Sequence, residues 1–277
     1  MNRLLSANFM RVKKNKCFWI CSALMFVMGI YFAAGSYADM KKMGWNYTLD
    51  GNCFVYILFA PVLLAVFGSL FLGTEYSDGT IRNKVMVGHR RLHIYLSNLL
   101  TMLAVGIAFC ALYLLPYLAV GIPLLGSFEA DIRKILLIMA VTLVLICAYG
   151  AIYTMIAMLS SNKAGVTAGC ILAAFVLLFS GVYISSRLEE PEFYTDYNYT
   201  VGGKIEDTGV KIKNPRYVDG KKREVYQFVY DFLPGGQEVQ CVRKTLAHPF
   251  ALPVYSGAIL VLTTAGGIWL LRRKDIK

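Results

Sequence analysis

Six long apolar runs, none carrying Asp, Glu, Lys, Arg or His, constrain this chain more than any other feature. They cover residues 17–37, 53–73, 94–122, 135–159, 164–186 and 254–271. An α-helix needs ~20 such residues to cross a bilayer. With 57% of its 277 residues hydrophobic and a mean hydropathy of +0.54, the chain is too apolar for a soluble domain of this length. The runs predict an all-α polytopic membrane protein with six transmembrane helices.

Charge then orients the helices. Alternate connections collect Arg3, Arg11, Lys13, Lys14, Lys16, Arg82, Lys84, Arg90, Arg91, Lys163, Arg272, Arg273, Lys274 and Lys277 on one side, with only Glu75, Asp78 and Asp275 opposing them. The remaining basic and acidic residues balance on the other side, so the net charge of +11 sits on one face. Lys and Arg gather on the cytoplasmic side of membrane proteins, which predicts both termini inside the cell. The basic balance therefore reports topology and needs no nucleic-acid partner, which would want a basic face on a soluble domain. Of seven cysteines, Cys17, Cys21, Cys110, Cys147 and Cys170 fall in the apolar runs. Cys53 and Cys241 are expected to face outward, where a disulfide between them would need a separation that sequence does not supply.

Residues 1–16 carry Leu4, Leu5, Phe9 and Val12 at near-helical spacing among basic residues, the pattern of an interfacial helix. The first run is longer than a signal core and lacks a convincing cleavage site, so it reads as a retained anchor. Pro116 and Pro123 predict a kink or tilt in the third run. Gly165 and Gly169 form a G-x-x-x-G face suited to close helix packing.

The basic connection at 73–93 is the most informative stretch. Ser77 is placed to cap a short helix over 78–87, with Asp78 in its first turn and Gly88 as its stop. At about 15 Å such a helix is too short to span a bilayer and suited to lie along its surface. Ile81 and Val85 share one face of it. Glu75 directly after a span, Gly79-Thr80, the amphipathic helix and the turn Gly88-His89-Arg90-Arg91 resemble ABC-2 type permeases, the membrane subunits of one class of ATP-driven exporter.

That resemblance implies a cytoplasmic coupling helix docked on a separate ATPase subunit, with Glu75, Asp78, Gly79, Thr80, Ile81, Arg82 and Val85 as coupling residues. ATP and Mg would then bind the partner ATPase and no cofactor would bind this chain, which lacks a phosphate loop of the G-x-x-x-x-G-K-[ST] type. It further implies a dimer with a second copy or a related permease, in a bacterial plasma membrane. The cargo in this reading is an amphipathic peptide, a lipid-like molecule or a hydrophobic drug. Tyr149, Tyr153 and Thr154 are read as pathway residues. The chain itself is not expected to be an enzyme: His89, His93 and His248 complete no metal shell, and no catalytic set assembles inside the spans. Spans without charge also lack the carboxylate that ion-coupled carriers keep at depth, so the driving energy is expected from outside the membrane.

Three parts follow: 1–186 with the interfacial segment and five spans, an extracytoplasmic segment at 187–253, and 254–277 with the last span and a cytoplasmic tail. The middle part reads as a small α+β insertion. Tyr197, Tyr199 and Val201 alternate ahead of Gly202-Gly203 and Val210/Ile212, a hairpin pattern. Val225, Phe228, Val229 and Phe232 then recur at i, i+3, i+4 and i+7 up to a break at Pro234-Gly235-Gly236. This stripe either packs on the hairpin or dips into the outer leaflet. The resemblance favours the second, as an outer gate formed by those four residues. The competing function class is a non-transporting sensor or scaffold whose outer segment binds a ligand.

Overall fold

The computed structural model describes residues 1–44, 47–160, 162–199 and 205–274. Among them are helices α1 (Asn2–Lys14), α2 (Lys16–Met43), α3 (Tyr56–Ser77), α4 (Thr80–Met86), α5 (Arg91–Leu125), α6 (Ile132–Leu159) and α7 (Lys163–Glu189). Strands β1 (Phe193–Tyr199) and β2 (Ile205–Lys213) follow, then α8 (Gly220–Phe232), α9 (Pro234–Arg243) and α10 (Ala251–Arg273). Each of the six apolar runs became a helix long and apolar enough to cross a membrane: α2, α3, α5, α6, α7 and α10. The chain is thus an all-α polytopic membrane protein, with one two-stranded sheet among the described residues.

The helices exceed the apolar runs at several ends because polar residues continue the backbone ladder into the interface. Thus α2 runs on through Asp39, Lys41 and Lys42 to a left-handed cap at Gly44. α1 turns Leu4, Asn8 and Val12 inward at intervals of four residues, and Asn15 links it to α2 by accepting the amide of Phe18 at 3.2 Å.

α6 is the central helix, packed against α3, α5, α7, α9 and α10. α2 lies along α5, where the carbonyl of Tyr113 would be 2.5 Å from any Cβ at Gly29. Gly169 does meet α6, facing the side chain of Ile156. Trp19, Ile20, Phe26 and Val27 of α2 and Leu172, Val176 and Phe179 of α7 remain exposed. Such apolar stripes on span-length helices suit contact with lipid or with another helix.

β1 and β2 pair antiparallel, from Phe193 opposite Lys213 to Tyr199 opposite Ile205. The hairpin expected from alternation is therefore present; its Gly202-Gly203 turn, Val201 and Trp45 lie outside the described residues. The break expected at Pro234 is present: α8 ends at Phe232, and a second helix starts at once. Proline takes the first position of α9, where its missing N–H costs nothing, and the chain reverses direction there.

Candidate functional site

Two polar assemblies stand out, one at the end of the bundle that holds the basic connections and one at the opposite end. At the basic end, Glu75 in the last turn of α3 has no exposed surface. Burying a carboxylate is costly unless it is paired and hydrogen-bonded, and here three elements supply partners. Arg11 of α1 pairs with its Oε1. Lys84 of α4 donates to the same oxygen at 2.6 Å, and Asn98 of α5 donates to Oε2 at 2.8 Å. Asn8 of α1 completes the set by donating to Asn98 Oδ1 at 2.8 Å. The Arg11 guanidinium also sits 4.6 Å above the ring of Phe71.

Sequence reasoning singled out Glu75 and missed Arg11, Lys84, Asn8 and Asn98 as its partners. The available signal was Asn8 between Leu4 and Val12 on the apolar face of α1, and Asn98 and Thr101 one turn apart within an apolar run.

The structure corrects the short helix expected at 78–87 in two respects. α4 is shorter than expected and starts after Gly79, which is left-handed at φ 66° and gives no side-chain cap. Ser77 belongs to α3 instead, donating to the Thr74 carbonyl and the Asp78 carboxylate. Second, Ile81 is 1% exposed and packs with Leu4, Ile94, Tyr95, Leu99, Met158 and Leu271, with Val85 against the same cluster. The expected apolar docking face is therefore turned into the bundle. The tight turn at Asp78-Gly79 folds α4 back under α3 and α5, and burying such a side chain is worth about 1.5–3 kcal/mol. The outward surface is formed by Ser77, Asp78, Arg82, Asn83, Met86 and Val87, with Gly79 and Thr80 half-exposed. Arg91, at the start of α5, donates to the carbonyls of Leu271, Arg272 and Lys274 and so ties the end of α10 to this region.

At the opposite end, α8 and α9 form a helical hairpin wedged between spans. Its apex is seated on α7: a Cβ on Gly235 would lie 1.7 Å from the Leu177 carbonyl, and one on Gly181 2.2 Å from Gly235. Leu177 and Gly181 stand twelve and eight residues from the α7 end at Glu189, or about 18 and 12 Å by helical rise. Against a hydrocarbon layer of ~30 Å, the apex reaches roughly half-way. The stripe helix α8 itself packs against α7, α9 and α10.

Phe228 and Phe232 stack 6.0 Å apart and both meet Tyr255 of α10 edge-on at 5.9 Å. Val229 packs on the cluster of Ile184, Tyr230 and Val239, whereas Val225 is exposed. Asp231, 3% exposed, accepts from Gln227 and Gln240 at 2.9 Å and pairs with His248 at 2.8 Å. Gln237 donates to the Asp231 carbonyl and accepts from Ser256 of α10. These bonds let a polar helix, with Gln237, Glu238 and Gln240 all buried, sit among apolar spans.

Tyr149, Tyr153 and Thr154 are fully buried inside the single chain, Thr154 donating to the Gly150 carbonyl at 2.7 Å. Cys53 and Cys241 are likewise buried and free, not outward-facing. Burial pushes the Cys53 thiol up to about 12, so it is a poor nucleophile.

A family profile described as ABC-2 family transporter protein matches residues 4–181. No curated protein matches the chain. The matched span takes in α1, the Glu75 cluster, α4 and the α7 contact with the hairpin apex, while the hairpin and α10 lie beyond it. By fold and by this match, the chain belongs to the ABC-2 family of transporter proteins, as a membrane-embedded permease of an ABC transporter.

Proposed function

We propose that this permease serves an exporter driven by a separate ATPase subunit, and that the ATPase docks on the outward surface of α4. The observation that carries the reading is the buried Glu75, which joins α4 through Lys84 to α1, α3 and α5 at once. A push on α4 cannot be absorbed locally, because Ile81 is embedded in the bundle and Lys84 is paired. It is passed to the spans that carry the opposite end. Asp78, Arg82, Met86 and Val87 would touch the ATPase; Glu75, Ile81 and Val85 would transmit its movement.

In the same reading the basic end is cytoplasmic, in line with its excess of Lys and Arg, and the permease works in a plasma membrane as a dimer of six-span halves. The α8–α9 hairpin forms the outer gate, with Phe228 and Phe232 closing against Tyr255. The exposed faces of α2 and α7, free of charge, favour an amphipathic peptide, a lipid-like molecule or a hydrophobic drug as cargo. ATP and Mg remain with the ATPase.

The test is co-purification with the ATPase. Replacing Met86 or Val87 with Asp should abolish capture of the ATPase while the permease still inserts. Glu75→Gln should keep capture and lose the stimulation of ATP hydrolysis by the permease. Full capture in both α4 variants would sink this docking surface.

A further inference from the structure

Glu238 gives this chain a feature that its charge-free spans lack. The carboxyl sits one turn above the hairpin apex, 2% exposed, and faces Tyr149 and Tyr153 of α6. Glu238 Oε2 and the hydroxyl oxygens of Tyr149 and Tyr153 are all buried with no well-formed hydrogen bond, Tyr149 alone standing near enough to interact with the carboxyl. Three unmatched polar atoms in one enclosure call for a physical explanation. An ionisable residue at membrane depth marks a functional position more often than a structural one.

The titratable neighbours narrow the choice of ligand. On α6 they are Tyr149 and Tyr153; Cys241 lies on α9 itself, Cys170 of α7 stands beside Tyr153, and Tyr56 of α3 neighbours Cys241. Among the described residues no Lys, Arg or His acts on the carboxyl. Burial holds it well above the ordinary carboxylate range. As a carboxylate it would be a buried charge with no cation beside it, and a phenol hydroxyl on Tyr149 offsets less than burial costs. As an acid it offers an O–H donor to the phenol oxygens in the same enclosure.

We propose that Glu238, enclosed with Tyr149 and Tyr153, is a proton-binding site that is loaded when the α8–α9 hairpin is seated and emptied when the hairpin withdraws into water. Loading forms one O–H bond on a carboxylate oxygen with a proton from outer water, and withdrawal returns that proton to water; nothing is oxidised or reduced. The seated state binds the proton more tightly than the withdrawn state, so falling pH favours seating. That preference fades as pH rises from the ordinary glutamic acid value, about 4.3, toward the raised value of the seated carboxyl. The site depends only on the geometry of α9, whereas its link to opening rests on the outer-gate reading above.

The test uses the full-length permease in lipid nanodiscs. Infrared spectroscopy at neutral pH should show a protonated-carboxyl C=O band that disappears in Glu238→Gln. Tyr149→Phe should keep the band and shift its frequency, which serves as a second readout where Glu238→Gln fails to assemble. A spin label at Val225→Cys, with Cys17 and Cys147 replaced, should become several-fold more mobile as pH rises, and stay immobile in Glu238→Gln. Absence of any Glu238-dependent band overturns the proton site, whatever the hairpin does. A Glu238-dependent band with a pH-insensitive label keeps the site and overturns its link to the gate.

Discussion

Glu75 carries no exposed surface, yet its side chain reaches three elements besides its own, and its neighbours define the first prediction. Asn98→Ala would leave Glu75 Oε2 without its buried donor and the amide of Asn8 with only the longer bond to Thr101 Oγ1, a loss of about 1–3 kcal/mol. Glu75→Ala is harsher, because Arg11 and Lys84 would face each other with no anion between them, at roughly 3–5 kcal/mol for a broken buried pair. Thermal unfolding of the purified permease should rank Glu75→Ala below Asn98→Ala and both below the parent. Equal midpoints for all three would mean that the cluster contributes nothing to the fold. Glu75 itself could be read from its place after a span, but its partners could not. Their convergence depends on how α1 folds back along the membrane face, and sequence spacing within each element carries no record of that.

At the scale of elements, the α8–α9 hairpin depends on glycine more than on any apolar stripe. Gly235→Ala would set a methyl 1.7 Å from the Leu177 carbonyl, and Gly181→Ala would crowd the same contact from the α7 side. Overpacking of this kind costs about 1–3 kcal/mol, or unseats the helix instead. Cys241, buried when the hairpin is seated, provides the readout. A membrane-impermeant thiol reagent should label it slowly in the parent and at least several-fold faster in Gly235→Ala; unchanged labelling would contradict the close approach.

The same hairpin shows why some elements were legible and others were not. The stripe of Val225, Phe228, Val229 and Phe232 announced α8 correctly. Pro234-Gly235-Gly236 marked the end of α8 correctly, but nothing in the spacing said that a further helix starts there or that the glycines make room for a backbone contact with α7. Gln237, Glu238 and Gln240 looked like surface because partners such as Asp231 and Ser256 lie in other elements. α4 is the mirror case: Ile81 and Val85 marked an apolar face, but periodicity does not say whether a face meets its own chain or a partner.

For the whole molecule, the architecture was the most legible feature, since each apolar run had only one way to cross a bilayer. Orientation follows from Lys and Arg, and predicts that a reporter active only in the cytoplasm works after the C-terminus or in the turn at Asp78, and is silent at Asp219. Activity at Asp219 would invert the molecule. The larger claim is that movement at α4 is delivered through the Glu75 cluster to the hairpin at the other end. The most direct measurement places a cysteine at Phe228, exposed on α8, in the complex with the ATPase. Its labelling by an impermeant thiol reagent is then followed with and without ATP. Labelling should change with ATP in the parent and become insensitive to ATP in Glu75→Gln, with the ATPase still bound. ATP-dependent labelling that survives Glu75→Gln, or steady labelling in the parent, would contradict the account.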